Sequence, residues 1–257
     1  MTSQRPPDEG EQIQEQIKNR EVIFTPLADF HFPFLRDPRF LNSSNRDAIS
    51  KLYLQTLTED GAKNAMRDLQ IKQKIDITTL IPEDEEKWLI IPSLGIGGNA
   101  RSGTEVRLYL DPNHPKVIDS LRIWKKRQIA HELNHVARFQ ANRVGHTLLN
   151  GIITEGLATY YEEHWENKYL ATPWGNALTQ DQIAAKWQEA KPELDKQNFD
   201  YGVWFFGKNG KHPVWTGYSL GTAIVNEYFR THPNEKMVTL VKKTAKDILR
   251  ASGFNSI

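Results

Sequence analysis

His131-Glu132-Leu133-Asn134-His135 sets two imidazoles four residues apart, with a carboxylate directly after the first. On a helix, residues i and i+4 share a face, so both rings can point at one metal ion. Zinc suits such a pair. Glu132 projects about 100° away, beside the metal rather than on it. There it can take a proton from an activated water and later pass it to a leaving amine. A chain with 8 histidines in random order would contain about 0.015 such motifs, so the spacing is a signal. The competing reading is a solvated helix face.

A third ligand decides which kind of site this is. The pattern H-E-x-x-H-x-x-G-x-x-H fails, because Arg138 and Ala141 stand at its Gly and final His positions. The other solution is a carboxylate from the next helix, giving two His and one Glu. Glu155 fits: Gly145 lets the chain turn back, and Gly156 and Ala158 are small enough for close helix packing. Leu148, Leu149, Ile152 and Ile153 give that helix an apolar face. Thr159, one turn after Glu155, could accept from the outer N–H of a ligand imidazole, or bond to its own helix. Glu162, Glu163 and Glu166 read as a solvated face. His31, His114, His164 and His232 have no partner pattern and read as surface or structural residues.

The elements around the motif follow from pattern. Lys116 to Arg143 contains neither Pro nor Gly, room for one long helix about 117–143 or two with a break near Lys125. A second helix spans about 147–166. A third starts at Thr179, where Thr179 and Gln182 make a capping box. Two last helices fall at about 217–230 and 234–251, divided by His232-Pro233. Upstream, Trp88–Ile91 and Glu105–Leu110 read as strands, giving one small sheet over 87–110. The glycine-rich stretch between them reads as a hairpin loop or bulge, since a phosphate-binding G-x-G-x-x-G is absent. Residues 44–74 read as helical with breaks, Ile49, Leu52, Tyr53 and Leu57 forming one face and Thr58 an N-cap. Phe24–Phe40 reads as an extended aromatic strap, and 1–20 as a polar tail. The chain is α+β and predominantly helical. It divides into 1–80, tail and strap, and 81–257, a catalytic domain whose C-terminal helical subdomain is 179–254.

These motifs resemble the YjaZ-like family of predicted zinc-dependent proteases, a domain of unknown function. The resemblance is carried by HELNH, by Ile153–Glu162 (ITEGLATYYE), by Thr216–Val225 (TGYSLGTAIV) and by Ala245–Phe254, covering roughly Trp88 to Phe254. It implies a zincin-like fold and a gluzincin-type peptidase with one zinc ion on His131, His135 and Glu155. Asn134 departs from the residue expected there, but that position is not a ligand. The resemblance also implies a Tyr or His oxyanion donor from the subdomain after the third ligand. Tyr218 is the first candidate, with His212 second and His146 third; a core tyrosine is the other reading of Tyr218. The strand before the metal helix would pair with an extended peptide, through 104–110 or the loop 95–103, or else be an ordinary inner strand. Tyr201, Trp204, Phe205, Phe206 and Trp215 are either a pocket lining or core.

Composition bounds the rest. Lys+Arg 33 against Asp+Glu 32 leaves +1, which argues against nucleic acid or an anionic membrane as partner. A peptide or protein substrate is expected; oligomeric state is not specified by sequence. Zero cysteine excludes thiol nucleophiles and Cys-ligated zinc, so any zinc is held by His and carboxylate with one position open. No apolar run or leader-like start is present, and a cytoplasmic protein is the expectation. The alternative function is a catalytically inactive zincin-like peptide-binding or regulatory protein, against which the intact Glu132 argues.

Overall fold

The computed structural model describes residues 28–254 except 53, 92 and 93. The polar tail, the first residues of the aromatic strap and Tyr53 lie outside the described residues. Five strands form one sheet: β1 (Ala28–His31), β2 (Ile75–Leu80), β3 (Ile90–Ile91), β4 (Ile96–Ala100) and β5 (Glu105–Leu110), in the order β1-β2-β5-β4-β3. β1, β2 and β5 run parallel, whereas β4 and β3 are antiparallel to their neighbours. The sheet is therefore wider than 87–110, because two of its strands come from the first 80 residues. β2 alternates Ile75, Ile77 and Thr79 inward with Asp76 and Thr78 outward, the pattern of a half-buried strand. Trp88 and Leu89 belong to a 3₁₀ turn, Asp84–Leu89, and not to a strand. The glycine-rich stretch is not a loop: it is β4, paired with β5 from Ile96 to Ala100.

The described helices are α1 (Pro38–Leu41), α2 (Arg46–Ser50), α3 (Leu54–Asp68), α4 (Val117–Gln140), α5 (Leu148–Glu163), α6 (Gln180–Ala190), α7 (Tyr201–Phe206), α8 (Thr216–Thr231), α9 (Met237–Leu240) and α10 (Ala245–Ser252). Thr58 is no N-cap. It lies inside α3, and its hydroxyl donates to the Leu54 carbonyl at 2.7 Å, a bond made within the helix. α4 runs unbroken through Lys125. Thr147 caps α5, accepting from the Asn150 N–H. The Thr179–Gln182 capping box forms as the spacing requires. The expected last helix is two, since Thr244 caps α10 separately. No helix among the described residues is long and apolar enough to cross a membrane.

One face of the sheet buries Ile75, Ile77, Val106 and Leu108 against α3 and α4, through Ala62, Ala65, Met66, Ile129 and Leu133. α5 then packs on α4. Arg127 and Arg138 of α4 bond to the end and the middle of α5 respectively, so the two helices are antiparallel. α8 crosses α5 backbone to backbone: a β-carbon on Gly156 would sit 2.3 Å from the Gly221 carbonyl carbon, closer than atoms can approach. Two glycines thus set the distance between the helix carrying Glu155 and the helix carrying Tyr218.

Candidate metal centre

α4 and α5 bring His131, His135 and Glu155 together. Both histidine Nε2 atoms lie 3.4 Å from the same Glu155 Oε2. The three ligand atoms all fall within 4.8 Å of one another. That oxygen is buried and has no hydrogen-bond partner among the described residues. A donor–acceptor distance of 3.4 Å is poor for a hydrogen bond. It matches the edge of a zinc tetrahedron, where ligands about 2.0–2.1 Å from the ion stand about 3.3–3.4 Å apart. The donors therefore fit a zinc ion.

The outer nitrogen of His131 is held by Glu162, whose Oε2 lies 3.0 Å from Nδ1. A hydrogen on Nδ1 donated to that carboxylate leaves the Nε2 lone pair facing the cluster. The Thr159 hydroxyl takes neither of its expected roles, on a ligand imidazole or within its own helix: it is fully buried and has no partner among the described residues. The expectation of a solvated Glu162 and Glu163 also fails, as both are 1% exposed. The spacing held the signal. Glu155, Thr159 and Glu162 stand at i, i+4 and i+7 on one face of α5, and only a glutamate is long enough to reach back to His131. Arg127 locks this end of α5, donating to the Glu162 carbonyl at 2.6 Å and to the Glu163 carbonyl at 3.2 Å.

Tyr201 was read only as part of an aromatic run. Its hydroxyl donates to Glu155 Oε1 at 2.6 Å, fixing the carboxylate so that Oε2 faces the histidines. Tyr218 lines the same cleft, and its hydroxyl interacts with that of Tyr201. Burial and the Glu155 charge hold both phenols well above their ordinary pKa, so both stay protonated donors. His212 does not line the cleft. It is buried, stacked on Trp204 at 4.0 Å, with Glu189 3.6 Å away. His146 is exposed.

Burial alone would depress the His131 pKa, but the neighbouring carboxylates of Glu155 and Glu162 outweigh it and hold the pKa well above the ordinary value. For Glu155 burial acts upward, yet the two imidazoles win and keep its carboxyl far below the usual range. Glu132 is buried, which raises its pKa against the pull of His131 and His135. It sits under β4: a β-carbon on Gly98 would meet Glu132 Oε1 at 2.5 Å, and the Ala100 N–H favours the carboxylate. The glycines of β4 are thus a close approach of strand to carboxylate.

β4 borders the cleft on its free edge. The bonds Asp111 N–H to Gly95 O and Arg101 N–H to Glu105 O show that the odd positions of β4 face β5. The backbone groups of Gly98 and Ala100 therefore point the other way. β3 covers that side only at Ile96 and Gly97. The cleft has a volume of about 1280 Å³ and contains Glu132 and all three clustered residues. Of the aromatic run, Tyr201, Phe206 and Trp215 line it, while Trp204 and Phe205 are core.

A family model described as "Predicted Zn-dependent protease (DUF2268)" matches residues 55–250. The chain belongs to this family. The matched segment takes in α3 and all of the sheet except β1, and so starts earlier than the resemblance read from the motifs, which began near Trp88. It contains every residue of the clustered site described above. None of the curated proteins and none of the solved structures compared with it matches.

Proposed function

We propose that this protein is a zinc-dependent peptidase of the gluzincin type with a zincin-like fold. His131, His135 and Glu155 would hold one zinc ion. The observation that carries the reading is the convergence of two Nε2 atoms on one unpartnered carboxylate oxygen, with Glu132 beside them in an open cleft. Bound zinc would supply Lewis acidity toward a water and a peptide carbonyl. Glu132 takes the proton from the attacking water and returns it to the leaving amine; its raised pKa suits both transfers. Tyr218 donates to the oxygen of the tetrahedral carbon. Glu162 and Tyr201 fix the orientation of His131 and Glu155. The edge at Gly98, with the Ala100 carbonyl beside it, pairs with an extended peptide substrate, the Ala100 N–H being turned to Glu132.

The test combines metal analysis with a peptide-library digest. Protein purified without chelator should carry one zinc per chain and cleave the library, and a chelator should stop cleavage. Glu132→Gln should keep the zinc and lose cleavage by at least about a hundredfold. Absence of a stoichiometric divalent ion would overturn the metal assignment. Zinc retained by a wild-type protein that cleaves nothing would favour an inactive peptide-binding or regulatory protein.

A further inference from the structure

Trp124 and Trp174 are 8% and 6% exposed, yet both line the cleft. Their rings meet at a centroid distance of 5.6 Å. Trp124, Gln128 and Glu132 stand at i, i+4 and i+8, so Trp124 is two turns from Glu132 along the cleft-facing side of α4. Trp215, three residues before Tyr218, lines the same cleft and packs against the apolar cluster that holds both. Its φ of 65° is a left-handed conformation that a bulky residue disfavours, and such outliers gather at functional sites. It is held there by its N–H on the Phe205 carbonyl at 3.0 Å and by its own carbonyl, which accepts from Ser219.

The loop that presents Trp174 is equally fixed. Glu163 Oε1 accepts from the Thr172 N–H, the Thr172 hydroxyl and Asn176 Nδ2, at 2.8, 2.8 and 2.7 Å. Ser219 donates to the Trp174 carbonyl at 3.0 Å. The loop is therefore tied to α5, which carries Glu155, and to α8, which carries Tyr218. An indole-lined space on such rigid supports is preorganised for an apolar group. Ile91 and Ile96 extend the same apolar wall of the cleft. The carboxylates that line the cleft among the described residues are Glu132, Glu155, Glu162 and Asp200.

We propose that Trp124, Trp174 and Trp215 form a substrate subsite that selects a bulky apolar side chain, aromatic above all, at one fixed position beside the scissile bond. This rests on the peptidase reading and names its substrate class: extended peptides carrying a large apolar residue. Fully burying an apolar side chain of this size is favourable by far more than one methylene, which alone gives about tenfold or more in discrimination.

The test uses the zinc-loaded full chain. Cleavage sites in a peptide library should share a large apolar residue at one position. Matched peptides with Phe or Ala there should differ in kcat/KM by at least about tenfold. Trp215→Ala and Trp124→Leu should each bring that ratio to within about threefold of unity. The ratio is internal to one preparation, so partial unfolding does not move it. An unchanged ratio in both variants, or cleavage with no side-chain preference, overturns the subsite. If the zinc-loaded chain cleaves no peptide, the peptidase reading fails separately. The subsite is then read by binding of Phe- and Ala-bearing peptide hydroxamates: tighter Phe binding that Trp215→Ala abolishes supports it, and equal affinities overturn it.

Discussion

Glu162 offers the sharpest check on how the cluster is held. Its carboxylate, 1% exposed, accepts from His131 Nδ1 at 3.0 Å, and no other residue bonds to that nitrogen among the described residues. A hydrogen bond to a charged group contributes about 1.5–3 kcal/mol. At 1.4 kcal/mol per decade this corresponds to about 10–100-fold in affinity, the range found when the outer partner of a metal-bound imidazole is removed. Glu162→Ala should therefore raise the zinc Kd about 10–100-fold. Glu162→Gln keeps an acceptor oxygen and should cost about tenfold or less. Thr159→Val should change nothing, because the Thr159 hydroxyl has no partner among the described residues. Arg127 anchors the backbone of this helix end through carbonyls, so it survives loss of the side chain. The assay is competition with a chromophoric zinc chelator at fixed pH, with thermal unfolding of the metal-free forms as a fold control. A Glu162→Ala affinity within about twofold of wild type, or an equal loss in Thr159→Val, would refute the assignment.

The other predictions concern the phenols, the helix crossing and protons. Tyr218→Phe should lower kcat by about 10²–10³ with zinc content intact; Tyr201→Phe, which frees Glu155 Oε1, should act mainly on zinc affinity, and the reverse pattern would exchange their roles. Gly156→Ala forces a β-carbon against the Gly221 backbone. Overpacking of this kind costs about 3 kcal/mol, a fall in Tm on the order of 5–10 °C; an unchanged melting curve would show that the helices can part freely. The raised His131 pKa stabilises the metal-free fold fully below the unfolded histidine value of about 6.5, and that contribution is lost as pH rises through the folded value. Zinc must expel this proton, so affinity should climb with pH through neutrality, with about one proton released per ion in calorimetry across buffers of different ionisation enthalpy. No release near pH 7 would contradict the pairing.

The sequence was legible where chemistry is local. The i, i+4 histidines and the Thr179–Gln182 box depend on one helix each, and both read directly. Glu155 could be found because only one carboxylate combined the right distance with small neighbours. Glu162 shares the face of Glu155 at i+7, but that spacing alone does not say that α4 brings His131 within 3.0 Å of its carboxylate. The same tertiary dependence hid Tyr201, whose hydroxyl matters only once α7 is folded against α5. β1 and β2 escaped notice because parallel pairing joins segments far apart in the chain and leaves no turn signal between neighbouring strands. β4 was taken for a loop since its glycines lack strand propensity; their reason is the Glu132 carboxylate pressed against the strand.

The brevity of the open edge on β4 has a consequence for the protein's own solubility. An unpaired strand edge is a template on which other chains can add, and long flat ones seed aggregates. Here the exposed stretch is only Gly98 to Ala100, closed by β3 at one side and by the turn after Ala100 at the other. It is recessed in a cleft rather than laid out on the surface. Three residues, of which only Gly98 and Ala100 present backbone groups outward, cannot hold a strand without help from neighbouring contacts. A segment that adds there must also fit the cleft around it, a demand that a flat, exposed strand edge does not make.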